Sequence, residues 1–302
     1  MSHNDAFSYH ELNLKAVSQM KNLQGRVNPA FLKDDVVEEL ANQSEMFGLL
    51  YLIGLKHSLK LTEDRSFDNY FKGPFFKRRT PFLIGITGAV SVGKSTFAKD
   101  LADKLHEMNP NQRAEIVSSD DFLFPNAELV QKNLMDKKGF PESFDNEALW
   151  NFLVNAASFN ESQDIPIYDH LTYDILDRKR RVRSADFLIV EGINVLQTNP
   201  LNGQAFSEMM DLTIYLEAAH ESIINWFLNR FNDLLDHAEP GGYFEKYAQM
   251  QREESNQLAK DTYAAINQPN FENFIEPTRN RANLIVQFDD DHEITRILMR
   301  DY

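Results

Sequence analysis

Residues 88–96 read GAVSVGKST and fit the pattern G-x-x-x-x-G-K-[ST], which binds phosphate groups. Its two fixed glycines let backbone N–H groups turn toward phosphate oxygens, and the start of the following helix adds a partial positive charge. Lys94 can reach the β- and γ-phosphates of a nucleotide, and Ser95 can ligate Mg²⁺. The residues predicted to contact the nucleotide are Gly88, Ala89, Val90, Ser91, Val92, Gly93, Lys94, Ser95 and Thr96.

Acidic residues end two further apolar runs. SSDDF (118–122) supplies Asp120 and Asp121, and FLIVEG (187–192) supplies Glu191. Ligands of open α/β sheets bind beyond the carboxyl ends of the strands, so an acid there can hold Mg²⁺ or its water, or orient a nucleophile. Because the pleat of a strand sends neighbours to opposite faces, only one of the two aspartates should face the site.

Short apolar runs alternate with helical segments from Pro81 onward, which is typical of a mainly parallel sheet covered by helices. The runs are FLIGIT (82–87), EIVSS (115–119), FLIV (187–190), LTIYL (212–216) and NLIVQF (283–288). Apolar spacing predicts helices over 34–58, 221–235 and 243–266. We therefore expect one compact α/β unit, with a five-strand core over 81–302, helical insertions, and a helical N-terminal extension over 1–80.

Composition narrows the class of protein. The chain has 302 residues, is 42% hydrophobic and carries a net charge of −15, which disfavours binding to nucleic acid or anionic membranes. RKRRVR (178–183) leads into an apolar strand and indicates a solvated turn. No cysteine is present, so disulfides and thiol nucleophiles are excluded. The N-terminus lacks an apolar signal core, and FGLLYLIGL (47–55) is too short to span a bilayer, so a cytoplasmic location is expected.

A phosphate loop alone is shared by small-molecule kinases, GTPases, motors and repair ATPases. The chain has no N-K-x-D signature for reading guanine, which disfavours a GTPase. Its acidic charge and lack of repeats disfavour a nucleic-acid motor. A kinase for a small hydroxyl-bearing molecule remains.

The sequence resembles the type I (bacterial) pantothenate kinases, in the phosphoribulokinase and uridine kinase branch of P-loop kinases. The matching stretches follow the family order over most of residues 80–290: GAVSVGKST (88–96), SSDDFLFPN (118–126), KKGFPESFD (137–145), IYDHLTYD (167–174), FLIVEGINVLQ (187–197), WFLNRF (226–231), YFEKYA (243–248) and EPTRNRANLI (276–285). KKGFPESFD and EGINVLQ are the most specific, because related kinases do not share them.

The resemblance implies ATP-dependent phosphorylation of the primary hydroxyl of pantothenate, the first step toward coenzyme A. It implies that Mg²⁺ is held by Ser95 with Glu191 nearby. Asp120 matches the acid that orients or deprotonates the hydroxyl, and Arg230 matches an arginine that stabilises the moving phosphoryl group. The substrate pocket that it implies, shared in part with coenzyme A as a feedback inhibitor, contains Tyr168, His170, Phe227, Tyr247, Asn273 and Phe274. A homodimer is also implied.

The chain departs from the family pattern at four positions. Asp121 stands where the family usually has glycine, and Lys99 replaces an arginine associated with inhibitor binding. Phe227 and Phe274 replace a tyrosine and an asparagine that help to bind the carboxylate of pantothenate, although Asn273 lies one position away.

Three alternatives to a pantothenate kinase stay open at this point. The acceptor could be a neutral, pantetheine-like molecule, as the two phenylalanines suggest. Another small-molecule kinase, such as a uridine kinase, is disfavoured by KKGFPESFD. A non-catalytic nucleotide or coenzyme A sensor is disfavoured because Lys94, Ser95, Asp120 and Arg230 are all present.

Overall fold

The computed structural model describes residues 8–12, 44–71, 80–159, 161–200 and 202–301. Its strands, in chain order, are β1 (Tyr9–Glu11), β2 (Phe82–Gly88), β3 (Ala114–Ser118), β4 (Gln163–Ile165), β5 (Tyr168–Asp169), β6 (Asp174–Ile175), β7 (Arg180–Val182), β8 (Phe187–Glu191), β9 (Leu212–Glu217), β10 (Leu284–Phe288) and β11 (Ile294–Arg300). Its helices are α1 (Ser44–Phe71), α2 (Lys94–Met108), α3 (Asn126–Gln131), α4 (Asn146–Phe159), α5 (His220–Asp236), α6 (Glu245–Ala248), α7 (Arg252–Thr262) and α8 (Gln268–Asn270).

Seven strands form the main sheet, in the order β1–β11–β10–β9–β2–β8–β3. The five strands from β10 to β3 run parallel to one another, and they are the five predicted apolar runs. The predicted α/β class with a mainly parallel, five-strand core is therefore confirmed. Two antiparallel strands, β11 and β1, extend the sheet beyond β10 and were not predicted.

Helices cover both faces of the sheet, which explains why its strands are apolar without alternation. Ile84 and Ile86 of β2 pack with Leu101 of α2 on one face. Leu83, the residue before Ile84, packs with Phe152 of α4 on the other. Successive side chains of a strand point to opposite faces, so a strand buried on both sides needs apolar residues throughout.

The helix predicted over 221–235 is α5, whereas the single helix predicted over 243–266 is wrong. That segment forms α6, then a break, then α7, followed by a π-helical turn at Tyr263–Asn267. Gln251 takes extended backbone angles at the break and starts α7. The Arg252 guanidinium then donates to Asn232 and Asp236 of α5, so the break lets α7 lie along α5.

The N-terminal part of the chain is only partly described. Helix α1 overlaps the predicted 34–58 helix but runs on to Phe71, and residues 34–43 lie outside the described ranges. The Tyr9 hydroxyl on β1 donates to the carbonyls of Arg279 (3.1 Å) and Ala282 (3.0 Å). The boundary at residue 80 stays a prediction. Among the described helices, none is long and apolar enough to cross a membrane.

Candidate active site

The predicted phosphate loop lies between central strand β2 and helix α2. At Gly88, φ is 148°, and a Cβ atom there would lie 2.5 Å from the carbonyl oxygen of Leu216. A side chain is therefore excluded, and the loop can leave β2 in direct contact with β9. Ser91 takes left-handed angles, and its buried hydroxyl has no hydrogen-bond partner among the described residues. An unsatisfied buried hydroxyl fits a loop that takes up an oxygen-rich ligand.

Lys94 folds back over this loop. Its Nζ donates to the carbonyl oxygens of Ala89 (2.7 Å) and Gly88 (3.2 Å). Desolvation lowers the pKa of Lys94 to about 8; Glu191 and Asp120 oppose the shift, and Arg230 adds to it. The amine is thus held at the loop and is electrostatically coupled to both predicted acids and to the predicted arginine.

Ser95 and Glu191 form a pair suited to Mg²⁺. The Ser95 hydroxyl donates to Glu191 Oε1 at 3.0 Å. Glu191 is buried, and burial and Asp120 raise its pKa, while Lys94 and the hydroxyls of Ser118 and Ser95 oppose the rise. The described residues contain no group of three or more histidine, aspartate or glutamate side chains that could hold a metal ion. Mg²⁺ is usually bound by one or two protein groups plus substrate phosphates, so this pair fits such an ion.

Asp120 and Asp121 do not lie on a strand, so the prediction that the pleat of a strand separates their side chains is wrong. β3 ends at Ser118, and Ser119–Phe122 form a 3₁₀ turn. Asp120 is half-buried and acts electrostatically on Lys94, Glu191 and His170. Asp121 is buried, and its carboxylate accepts the backbone N–H of Tyr168 and a guanidinium N–H of Arg180. Asp121 is thus bonded to the hairpin and to Arg180, whereas Asp120 is the one whose charge acts on Lys94 of the phosphate loop.

Gly192 fixes the spacing between the two acidic strand ends. Its φ is 150°, and a Cβ atom would lie 1.8 Å from Ser119 Oγ, which is an overlap. Only glycine lets the chain after Glu191 pass this close to the turn that carries Asp120. The short distance between the ends of β3 and β8 therefore depends on this residue.

Tyr168 and His170 lie on a small hairpin formed by β5 and β6, with their rings 5.1 Å apart. Desolvation, followed by repulsion from Arg230, lowers the pKa of His170. Burial raises the pKa of Tyr168. The charge of Asp120 raises this pKa further, and the charge of Arg230 opposes the rise. Tyr168 and His170 of the hairpin therefore lie within electrostatic reach of Asp120 and Arg230.

Tyr247 joins this region through an aromatic cluster. Its ring lies 6.1 Å from Phe231, the residue after Arg230, and 6.1 Å from Tyr243. Tyr243 in turn stacks on Tyr173 of the hairpin at 4.4 Å. This cluster links α5 and α6 to the wall that carries Tyr168 and His170.

The three remaining predicted pocket residues make other contacts. The Phe227 ring packs on Tyr263 at 5.1 Å. Phe274 is 37% exposed and packs edge-on against Phe140 at 5.8 Å. The exposed Asn273 side chain donates its amide N–H to the carbonyl of Pro269 at 2.7 Å, so that donor is already used within its own helical segment.

Lys138, in KKGFPESFD, is a buried cation that the sequence analysis did not single out. Its Nζ donates to Asn126 Oδ1 (2.7 Å) and to the carbonyl of Tyr173 (2.6 Å), and it lies 3.9 Å from the Tyr173 ring centroid. Burial lowers the pKa of Lys138 to about 8, against the attraction of Asp174 and Asp120. The sequence signal that could have identified Lys138 was its position in KKGFPESFD, one of the two most specific motifs.

Two further residues were missed or misread. Arg180 belongs to the run interpreted as a solvated turn, yet it lies on β7 and donates to Asp121 and to the carbonyl of Ile116 (2.9 Å). His292 stacks on Trp226 at 3.5 Å between ring centroids, and its imidazole would lie 3.3 Å from a Cβ atom at Gly93. Nothing in the local sequence indicated that His292 would border the phosphate loop.

The chain is a P-loop kinase, as its strand order and phosphate loop together define. It belongs to the phosphoribulokinase / uridine kinase family, whose model matches residues 83–242. A pantothenate kinase of Streptococcus pneumoniae is 40% identical over 245 residues, which are 79% of this chain and 78% of that protein. A pantothenate kinase of Ligilactobacillus salivarius is 42% identical over 229 residues, 74% of each chain.

A solved structure shares the fold at low sequence identity. It is the D-glycerate 3-kinase from Cryptococcus neoformans, with a TM-score of 0.56 and 16% identity over 82% of this chain and 98% of that chain. This similarity shows the fold only and does not indicate which acceptor the chain uses.

Proposed function

We propose that this enzyme transfers the γ-phosphoryl group of ATP to the primary hydroxyl of pantothenate, with Mg²⁺, to form 4′-phosphopantothenate. The observation that carries the proposal is the phosphate loop, whose Lys94 amine donates to the carbonyls of Gly88 and Ala89 and lies within electrostatic reach of Asp120 and Arg230. Identity of 40% with pantothenate kinases over 79% of the chain supports the acceptor.

We assign one role in the reaction to each of the candidate residues. Lys94 exchanges its two carbonyl partners for the β- and γ-phosphates of ATP. The Asp120 carboxylate accepts the hydroxyl proton as the hydroxyl oxygen bonds to the γ-phosphorus and the bond to the bridging oxygen of ADP breaks. Arg230 stabilises charge on the transferring group. Ser95 and Glu191 would hold Mg²⁺, which when bound neutralises charge on the phosphate oxygens.

A neutral, pantetheine-like acceptor is the second candidate. The observation that favours it is the phenyl ring of Phe274, 37% exposed against Phe140, where the resemblance leads one to expect an amide. An apolar surface gives no hydrogen bond to a carboxylate, whereas it accepts the apolar tail of an extended amide. The Asn273 amide uses one of its two N–H groups in the bond to Pro269, which leaves one N–H that could meet a carboxylate.

Feedback by coenzyme A is part of the same proposal. His170 is exposed on the hairpin, and Lys99 is exposed on α2. A lysine cannot make the planar, two-pronged contact with phosphate that an arginine makes, so we expect weakened inhibition. Titration of coenzyme A at low ATP measures it. The homodimer and the cytoplasmic location rest on the resemblance and on composition, and they stay predictions.

The deciding experiment measures ADP formation with pantothenate and pantetheine side by side, together with mass spectrometry of the products. We expect a phosphorylated pantothenate product and loss of nearly all turnover in Lys94→Ala. Efficient use of pantetheine with little use of pantothenate would select the second candidate. If the protein binds ATP but forms no ADP with either acceptor, both candidate functions are rejected.

A further inference from the structure

Asp121 joins three segments of the chain beside the Tyr168–His170 hairpin. It is 5% exposed, and its Oδ1 accepts the backbone N–H of Tyr168 at 2.9 Å. Its Oδ2 accepts from Arg180 Nη2 at 3.1 Å, and the same nitrogen donates to the carbonyl of Ile116 on β3. One carboxylate therefore connects the 3₁₀ turn, the β5–β6 hairpin and the β7 strand.

We propose that Asp121 and Arg180 are positioning residues, which hold the acceptor-binding hairpin at a fixed distance from the Asp120 carboxylate. The inference rests on the proposed function for the identity of the acceptor. It does not require either residue to touch a substrate.

The hairpin needs an external anchor because it is too small to be stable alone. β5 and β6 have two residues each, with pairs Tyr168–Ile175 and Asp169–Asp174. An isolated hairpin is marginal in water even when it is longer. Asn126 and Lys138 hold the far end at the carbonyl of Tyr173, and Asp121 holds the near end at the N–H of Tyr168.

The hydrogen bond between Asp121 and the N–H of Tyr168 bears on the reaction because Asp121 is the neighbour of Asp120, the proposed base. Asp121 follows Asp120 directly in a single 3₁₀ turn, so the hairpin is tied to the turn that carries the proposed base. A displacement of about 1 Å between reacting groups can reduce a rate on the order of 10²-fold. The glycine that the resemblance leads one to expect at position 121 has no side-chain oxygen for the N–H of Tyr168. The anchor is therefore a feature of this chain.

The Asp121 side chain is only 7% exposed, although that of Arg180 is 32% exposed, so loss of Arg180 would leave a buried carboxylate without its partner. Removing one partner of a buried ion pair leaves the other without compensation, which is strongly unfavourable. A matched control lies next to it on the same strand. Arg181 pairs with Asp164 at 3.3 Å, but their side chains are 61% and 54% exposed. Such surface pairs contribute little.

The test compares Asp121→Ala and Arg180→Gln with the control Arg181→Gln. Hydrogen–deuterium exchange of a peptide covering residues 166–171 is measured in the ligand-free protein, and KM and kcat are measured for pantothenate and for ATP. Because a hydrogen bond to a charged group contributes about 1.5–3 kcal/mol, we expect the exchange of this peptide to accelerate about 10–100-fold in Asp121→Ala. The KM for pantothenate should rise by a similar factor, with the KM for ATP within about twofold of wild type.

The conservative variant Asp121→Asn keeps an oxygen for the N–H of Tyr168, so it should restore part of the exchange protection and of the KM. If Asp121→Ala does not fold, Arg180→Gln takes its place and should change the exchange and the KM for pantothenate in the same direction. Unchanged exchange and unchanged KM for pantothenate in Asp121→Ala would overturn the inference, as would an equal rise in both KM values. The exchange measurement needs no substrate, so the anchor can fail or succeed independently of the proposed acceptor.

Discussion

The Ser95 hydroxyl donates a 3.0 Å hydrogen bond to Glu191 Oε1, which joins the first turn of α2 to the end of β8. The two residues lie 96 positions apart, and the sheet brings them together because β2 and β8 are parallel neighbours. The pair offers a hydroxyl and a carboxylate oxygen beside the phosphate loop.

Glu191→Gln and Ser95→Ala should both weaken the binding of Mg²⁺. We expect the concentration of Mg²⁺ for half-maximal rate to rise ~10–100-fold, since ligands and their partners control metal affinity to this extent. Titration of Mg²⁺ at fixed ATP measures the change. Glu115→Gln, which removes a carboxylate near the start of β3, is the control. A normal Mg²⁺ requirement in Glu191→Gln would exclude this pair as the metal site.

ATP binding should weaken as the pH rises through about 8. The pKa of Lys94 is lowered to about 8 in the ligand-free protein, so above this pH a growing fraction of the amine is neutral. Phosphates bind the protonated amine, and kcat/KM for ATP reports groups of the free enzyme, so it should fall above pH about 8. The profile is measured from about pH 7 to 10.

Lys138 is the control for this profile, because its pKa is also lowered to about 8. If Lys94 is the titrating group, Lys138→Gln should keep the alkaline fall in kcat/KM for ATP. Loss of the fall in that variant would assign it to Lys138 instead.

Asp120→Asn should reduce kcat far more than Asp121→Asn. A positioned general base contributes about 10²–10⁴-fold, and Asp120 faces Lys94 and His170 while Asp121 is bonded to the hairpin. We expect the Asp121 variant to act mainly through the KM for the acceptor. Steady-state kinetics of both variants decide the matter, and a larger loss of kcat at Asp121 would reverse the assignment.

Arg230→Ala should lower kcat and kcat/KM together. An interaction made mainly in the transition state has this signature, and Arg230 lies on α5 with its charge acting on Lys94 and Tyr168. Arg252→Ala removes another guanidinium that contacts α5 and is the control. A rise in acceptor KM at unchanged kcat would instead make Arg230 a binding residue.

Phe227→Tyr combined with Phe274→Asn should raise kcat/KM for pantothenate, relative to pantetheine, at least tenfold. Two restored hydrogen bonds to a carboxylate contribute about 1.5–3 kcal/mol each, and 1.4 kcal/mol is about tenfold. Phe274 is 37% exposed, so asparagine should be tolerated there, while the Phe227 ring packs on Tyr263 in a tilted arrangement. If wild type strongly prefers pantothenate and the double variant leaves the ratio unchanged, the carboxylate argument is wrong.

The sheet was predictable because its inner strands are buried on both faces. Leu83 and Ile84 enter opposite clusters, so an uninterrupted apolar run was an adequate signal for β2. β11 was missed because its residues are mostly half-exposed, and β1 because three residues carry no periodicity. The break before α7 depends on Arg252 contacting α5, a contact that local spacing does not record.

In the site, motifs located residues but did not assign their partners. The phosphate loop and the acids at strand ends were identified from local sequence and strand order. The choice between Asp120 and Asp121 required the 3₁₀ turn and Arg180, 59 positions away. Lys138 likewise finds its carbonyl partner 35 positions away, at Tyr173. A single sequence gives no measure of such pairings.

Central strand β2 gains its two neighbours late during synthesis. It pairs with β8 and β9, which begin at Phe187 and Leu212, whereas β2 itself ends at Gly88. At about 5–20 residues per second, a ribosome needs roughly 5–20 s to add the intervening hundred residues. During that interval a strand that is buried along its whole length in the folded protein has left the ribosome without either partner. The nascent chain is therefore exposed to aggregation before its phosphate loop can take shape, and a chaperone that covers residues 82–88 would act in this window.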